Sequence, residues 1–366
     1  MAITLRPTIA EIRLSAVRRN LQKLKEISAP ARVLFVVKAN AYGHGAAALA
    51  RLAEREGLAW GFGVSSVEEG LALRGSGITS PVLVLGSLYP FESFVEAINA
   101  DLMVTIASLD AARQVIEAAR RLGKKAVCHI KLETGMGRIG ARKPSVLKIY
   151  DELTASGAVS VAGLYTHLSS ADTDPEYTAE QLGFFRETSA ALGERGARGL
   201  TFHAANSCAA VNIPASRLGM VRCGIAAYGL ADGFEPAMSL KTRVVFLKNV
   251  REGAFISYNK SFRADRPMRI ATIPAGYADG YIRRFSNKAD VLIGGRRCRV
   301  LGNVTMDMTM VDVTAVKDAA VGSEAVLLGR QGREEITAAE LAAMADTITY
   351  EIVTLISGRV PRVYVE

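Results

Sequence analysis

The chain of 366 residues has only four cysteines, one tryptophan and no stretch of 18 consecutive apolar residues. Cys128, Cys208, Cys223 and Cys298 form no Cys-x-x-Cys pair and have no histidine at metal-ligand spacing, which argues against a disulfide framework or structural zinc. No metal site is expected. Without a bilayer-length apolar run, and without the basic, apolar and small-residue succession of a signal peptide in MAITLRPTIAEIRL, the expected location is cytoplasmic, with no membrane association. The sequence also lacks a basic arm or an aromatic ladder. Its formal charge of +9 is spread along helix-like segments among acidic residues, so no nucleic-acid partner is expected. The surplus positive charge can instead attract a phosphate-bearing cofactor and carboxylate substrates.

What is present is a hydrophobic fraction of 49% and an alternation of short apolar runs with amphipathic segments. Leu14, Val17, Leu21 and Leu24 share one face of a helix over 11–27. Strands are predicted at 33–37, 60–64, 82–85, 102–106, 126–131, 159–165, 200–202 and 220–221. Helices fall between them at 45–55, 66–74, 90–98, 108–122, 144–156 and 179–194, the second opening on a Ser-x-x-Glu cap at Ser66 and Glu69. Eight strands with helical crossovers over roughly 230 residues predict the α/β class and a (β/α)8 TIM-type barrel. The turn-rich GFEPAMS at 233–239 breaks this rhythm, and short strands follow at 240–250, 269–274, 291–293, 297–301, 309–313, 325–328 and 362–365. One helix is predicted among them, at 338–345 behind Thr337. The expected organisation is therefore a barrel over 1–235 and a mostly β C-terminal domain over 236–366.

The apolar run at 33–37 stops at Lys38, and Lys131, His167, His203 and Arg222 stand at the ends of four other predicted strands. A barrel gathers such positions at the mouth formed by its βα loops, where barrel enzymes do their chemistry. A lysine there is either a solvent-facing strand cap or, with its pKa lowered by burial or neighbours, an amine that forms a Schiff base with an aldehyde. Taken alone, the residues leave both readings open. Likewise Arg222 could be a structural ion pair, Asn206 and Ser207 a helix cap, Tyr350 an ordinary half-buried aromatic, and Lys131 and Arg138 surface cations.

Nine motifs, in order and through both domains, bear on that choice. They are VVKANAYGHG (36–45), KLETGMGRIG (131–140), THLSSAD (166–172), HAANSCA (203–209), VRCGIAAYG (221–229), ISYNKSF (256–262), PAGYADGYIRR (274–284), VTMDM (304–308) and YEIVTLISGRVPRVY (350–364). Together they resemble alanine racemase, a fold-type III pyridoxal-phosphate enzyme. The resemblance implies that Lys38 holds pyridoxal 5'-phosphate as an internal aldimine and serves as one of two catalytic bases. It implies that Tyr258, reaching the site from the other subunit of a homodimer with shared active sites, is the second base. By the same resemblance His167 and Arg222 link that tyrosine to the cofactor ring, with Arg222 at the pyridine nitrogen and His203 in support. Tyr42, Asn206, Ser207, Gly224, Ile225 and Tyr350 would bind the cofactor, mainly its phosphate. Arg138 would face the substrate carboxylate, oriented by a Lys131 that is often carbamylated in the family. The Met306 backbone amide would approach the same carboxylate, with Asp307 beside it, and Tyr277 and Tyr350 would form a narrow gate.

Three positions depart from the family pattern: Cys223 follows Arg222 where proline is usual, Asn259 follows Tyr258 in place of glycine, and Asn303 precedes Val304 where arginine is usual. None removes a catalytic group, and Asn259 belongs to a residue type that reaches the positive φ of glycine. They leave open a serine racemase or one of broader amino-acid range. A fold-type III decarboxylase usually sets an acid against the ring nitrogen, and Arg222 argues against it. A single-barrel pyridoxal-phosphate carrier would leave residues 240–366 unexplained. The expected activity is the interconversion of L- and D-alanine, supplying D-alanine for peptidoglycan.

Overall fold

A computed structural model describes residues 5–366. Eight parallel strands form one sheet in the order Thr201–His203, Val159–Tyr165, Ala126–Lys131, Leu102–Ile106, Val82–Val84, Gly61–Val64, Arg32–Val36 and Met220–Cys223. The two end strands are joined by Gly219 N–H to Phe202 O and Arg222 N–H to Ala205 O, both 3.0 Å, so the sheet curls into a barrel. These strands read as near-continuous apolar runs because both faces are covered. Outward residues such as Val33, Phe35, Phe62 and Val104 meet the helical ring, while Leu34, Leu83, Met103 and Met220 form a separate apolar cluster. Alternation along the strands places that cluster inside, at the N-terminal end of the barrel.

The crossover helices follow their local signals. Ser66, Ser108 and Thr337 each accept a backbone N–H three residues on, which caps the helices Val67–Gly75, Leu109–Leu122 and Ala338–Ala345. The box predicted at Ser66 and Glu69 is only half formed. The Glu69 carboxylate turns instead to Ala39 N–H and Ser65 N–H, at 2.7 Å each, and so ties two barrel loops together. The helix expected from 179 begins four residues earlier, as Pro175–Glu194, because Asp174 caps it and Pro175 needs no donor in the first turn.

The β domain differs more from expectation. Residues 240–250 form two strands, Met238–Arg243 and Phe246–Val250, which enter a seven-stranded and a three-stranded sheet respectively. A second helix, Thr349–Thr354, carries Tyr350. The helix expected over 11–27 runs instead over Leu14–Ser28, because residues 11–13 belong to a strand, Ile9–Arg13, that pairs antiparallel with Met238–Arg243 and parallel with Arg362–Val365. From Ile9 the described chain thus runs in the β layer, crosses into the barrel, and returns. Ala10, Ile12, Leu240, Val326 and Leu341 belong to the same apolar cluster as the barrel's outer face, so the two parts share one core.

Candidate active site

The barrel strand Arg32–Val36 ends two residues before Lys38, and the chain then turns in an unusual hand. Ala39, Asn40, Ala41 and Tyr42 all have φ between 51° and 55°. Left-handed backbone costs L-residues roughly 1–2 kcal/mol each, so a single such turn has to be held from outside. Glu69 accepts Ala39 N–H at 2.7 Å, Asn40 Oδ1 accepts Ala46 N–H at 2.9 Å, and the Asn40 carbonyl accepts Gly45 N–H at 2.8 Å. Arg362 on the last strand donates from Nε to Gly43 O at 2.8 Å. Gly43 has no space for a side chain, because a Cβ would lie 2.4 Å from Val353 O. Held in this way, the turn sets Lys38 and Tyr42 at the C-terminal mouth of the barrel.

There they line a cavity of about 460 Å³ together with Ser65, Lys131, Arg138, Tyr165, His167, Asn206, Ser207, Arg222, Gly224, Ile225 and Tyr350. Four cationic residues and no carboxylate face it. Such a cavity favours anions and penalises its own amines. Lys38 has its pKa lowered by burial and then by Arg138, with Glu69 opposing. Lys131 is pulled down to about 8 by burial, with Arg138 and Arg222 adding to it. Both lysines are therefore closer to the free amine than a surface lysine is.

Arg222 forms the floor on one side. Its Nη1 donates to His203 Nδ1 at 3.1 Å and to His203 O at 3.0 Å. Its Nη2 donates to Thr166 O at 2.6 Å and Ala204 O at 2.9 Å, with His167 Nδ1 at 3.3 Å. Only Nε makes no hydrogen bond among the described residues, and Arg222 faces the cavity. Burial lowers the guanidinium to about 10, which still leaves it charged at neutral pH. The adjacent His167 is held neutral, at about 3, by burial and then by Arg222 and Arg138. Because arginine can only donate, His167 Nδ1 must accept, and its proton sits on Nε2.

The same cavity has a cradle of hydroxyls and close backbone. Ser207 Oγ accepts Gly224 N–H at 3.0 Å and Ala226 N–H at 3.4 Å. A Cβ on Gly224 would meet Tyr42 Oη at 2.6 Å, so glycine is needed for the tyrosine to reach in. The Tyr350 ring lies 5.8 Å from that of Tyr42. Asn206 does cap the short helix Ser207–Asn212, accepting Ala209 N–H at 3.0 Å, and it also borders the cavity. Its two sequence readings are compatible.

Eleven of the sixteen candidate residues thus meet in one cavity; His203 lies directly beneath it, fully buried. Tyr258, Tyr277, Met306 and Asp307 do not line it. They stand on loops of the β domain, with Tyr258 69% exposed. The turn that carries Tyr258 also runs through positive φ, at Ser257 (68°), Asn259 (60°) and Lys260 (53°). Asn259 adopts the glycine-like conformation considered for it. Asn303 donates from Nδ2 to Tyr258 O at 3.0 Å, and Ser257 Oγ donates to Asn303 O at 2.7 Å. Tyr277 N–H and Ala278 N–H bond to Thr305 O and Met306 O, both at 3.0 Å, which zips the Tyr277 turn to the Met306 loop. Arg359 pairs with Asp307 at 2.7 Å and with the fully buried Asp279, which Arg6 also engages.

Sequence reading missed Tyr165, Glu69 and Asp279. Tyr165 stacks on His203 at 4.7 Å between centroids, with Arg222 and Lys131 over its ring at 5.2 and 5.5 Å. Its signal was present, since Tyr165 closes the strand that leads directly to His167, two residues on. Glu69 was hidden by its helix-cap spacing, and Asp279 acts across distances no local pattern reveals.

Comparison with known proteins agrees with this geometry. Residues 12–232 match the model of the alanine racemase N-terminal domain and 237–364 that of its C-terminal domain. An alanine racemase of Symbiobacterium thermophilum is 47% identical, over 98% of this chain and 97% of that protein. One from Clostridium perfringens is 39% identical, over 100% and 97%. The crystal structure of alanine racemase from Bacillus anthracis with bound L-Ala-P superposes with a TM-score of 0.94, at 35% identity and covering 100% of this chain and 96% of that one. Matched along its whole length in sequence and in fold, the chain belongs to the alanine racemase family.

Proposed function

We propose that the protein interconverts L- and D-alanine using pyridoxal 5'-phosphate bound in the barrel cavity, and that it works as a homodimer whose second copy supplies Tyr258. The observation that carries this reading is the cavity itself: a lysine with a lowered pKa, three further cations, no carboxylate, and one unused Arg222 N–H. The residues fit the cofactor. Ser207, Gly224, Ile225, Tyr42 and Tyr350 would take its phosphate, Lys38 its aldehyde carbon, and Arg222 Nε its ring nitrogen. When bound, the cofactor supplies an electron sink that acidifies the Cα–H of an amino acid joined to it.

Racemisation needs a base on each face of Cα. Lys38 Nζ serves one face, since burial favours its free amine. Tyr258 Oη serves the other, with His167 Nε2–H as a donor that stabilises the phenolate. Arg222 keeps its proton and presents a fixed donor, so the proton returns to Cα. Arg138 binds the substrate carboxylate. Lys131, neutral at mildly alkaline pH, is in the form that adds carbon dioxide with loss of a proton, and the resulting anion would pair with Arg138. Tyr350 of one copy and Tyr277 of the other narrow the entrance to a small side chain, while the backbone of Met306 and the Asp307–Arg359 pair complete the mouth. The product suits peptidoglycan synthesis in the cytoplasm.

The test is incubation of the cofactor-loaded protein with L-alanine, and separately L-serine, in D2O, followed by chiral analysis and Cα deuterium content. Deuterated D-alanine with little D-serine is expected. Comparable D-serine would attach a broader pocket to Asn259 and Asn303; decarboxylated amine, or no exchange with cofactor bound, would overturn the reading.

A further inference from the structure

Beneath the cavity floor a second histidine continues the network. His129 Nδ1 lies 2.9 Å from His203 Nε2, and both rings are fully buried. The strand register shifts between Cys128 and His129, which re-aims the ring toward His203. Gly163 on the next strand leaves the room it needs, because a Cβ there would sit 2.5 Å from His129 Nδ1. Proton positions follow from donor chemistry alone. Arg222 can only donate, so His203 Nδ1 accepts; the neutral His203 must then carry its proton on Nε2 and give it to His129 Nδ1. The His129 proton is left on Nε2, and that nitrogen is buried without a partner. An orphaned buried N–H costs stability, and an apolar side chain of similar size would avoid the cost.

We propose that His129 is a positioning residue for Arg222: its Nδ1 lone pair locks His203 in the Nε2–H tautomer, which keeps the acceptor facing the guanidinium. Arg222 is thereby clamped between two histidines of the same tautomer, His167 toward the cavity and His203 toward His129, and its Nε is aimed rather than free to swing. Were His203 to carry its proton on Nδ1, two N–H groups would oppose each other and Arg222 would rotate away. This inference rests on the reading that Arg222 faces the cofactor ring, which binding and turnover by the wild-type holoenzyme test separately.

With four histidines in the chain, the imidazole 15N–1H spectrum of the labelled protein can be assigned by single substitutions. Wild-type protein is expected to show His203 as the Nε2–H tautomer. In H129L the His203 tautomer should become mixed, with pyridoxal phosphate affinity and kcat each reduced about tenfold, an altered visible band of the bound cofactor, and a Tm equal to or above wild type. H129N, whose Oδ1 replaces the Nδ1 acceptor, should restore the tautomer, the band and most of the activity. A wild-type His203 protonated on Nδ1 would overturn the proposal, as would an H129L holoenzyme with unchanged band and kcat, or an H129N as impaired as H129L. If H129L does not fold, the wild-type spectrum and H129N still decide.

Discussion

The barrel mouth carries twelve of the sixteen residues of the proposed site, counting His203 beneath the cavity, and the β-domain loops carry four, and the two regions are built differently. At the mouth, Lys38 sits on a left-handed turn clamped by Glu69, Asn40 and Arg362, and Arg222 has four of its five N–H donors committed to the protein. On the loops, Tyr258, Tyr277 and Met306 are exposed, and their backbones are held mainly by each other's turns. A cation cluster must be preorganised in a buried place, because its mutual repulsion and desolvation would otherwise disperse it. Residues that complete a site across an interface must remain exposed until a second copy covers them. Under the proposed function, one chain alone would hold the cofactor but could not finish the reaction.

Mixing variants tests that implication most sharply. Lys38→Ala and Tyr258→Phe should each lower racemase activity by about 10²-fold to 10⁴-fold. Dissociated and reassociated together, the two inactive proteins should recover about a quarter of wild-type activity, since half of the dimers would pair them and each would hold one intact site. No recovery would mean that both bases act within one chain, and the division between barrel and loops would fall. A smaller change aims at the mouth alone. Gly224→Ala pushes a methyl to 2.6 Å from Tyr42 Oη and should weaken pyridoxal phosphate binding on the order of tenfold or more, by fluorescence titration, with the dimer intact.

Acid should separate the two regions as well. All four histidines, His44, His129, His167 and His203, lie in the barrel. Burial holds His44 and His129 at about 4, against an ordinary 6.5. Burial, with His129 and Arg222 adding to it, holds His203 well below the ordinary value. The unfolded chain takes up protons in that window and the folded barrel does not. Stability present above pH 6.5 is therefore lost as pH falls toward 4, by about 1.4 kcal/mol per pH unit for each buried histidine. Urea midpoints should drop between pH 7 and pH 5, and at pH 5 barrel amides should lose hydrogen-exchange protection before those of the β domain. Equal loss in both would show that the shared core couples them fully. The smallest effect is expected at Asn303→Ala, which frees the Tyr258 carbonyl; kcat should fall a few-fold with cofactor affinity unchanged, roughly the value of one exposed hydrogen bond.

Much of this was legible from the chain. Periodicity located the eight barrel strands to within a residue or two, because most are short runs buried on both faces. Eleven of the sixteen residues that the family motifs named line one cavity, while Tyr258, Tyr277, Met306 and Asp307 stand on loops outside it. The strand at 9–13 was missed because its partners lie more than 200 residues away, at 238–241 and 362–365, and nothing local marks a strand that pairs only at long range. The break at Val244 and Val245 was missed for a related reason: the apolar run continues, but the sheet it belongs to changes.

The sequence by itself determined the barrel rhythm, the lysine at a strand end, the anion-seeking surplus of charge and the family, since these rest on residue type and spacing. Only the tertiary structure decided which donor of Arg222 is left over, which tautomers the histidines adopt, and why Glu69 abandons its helix cap for Ala39. Those outcomes are set by competition for buried hydrogen bonds between segments far apart in the chain, and such competition exists only once the barrel has closed.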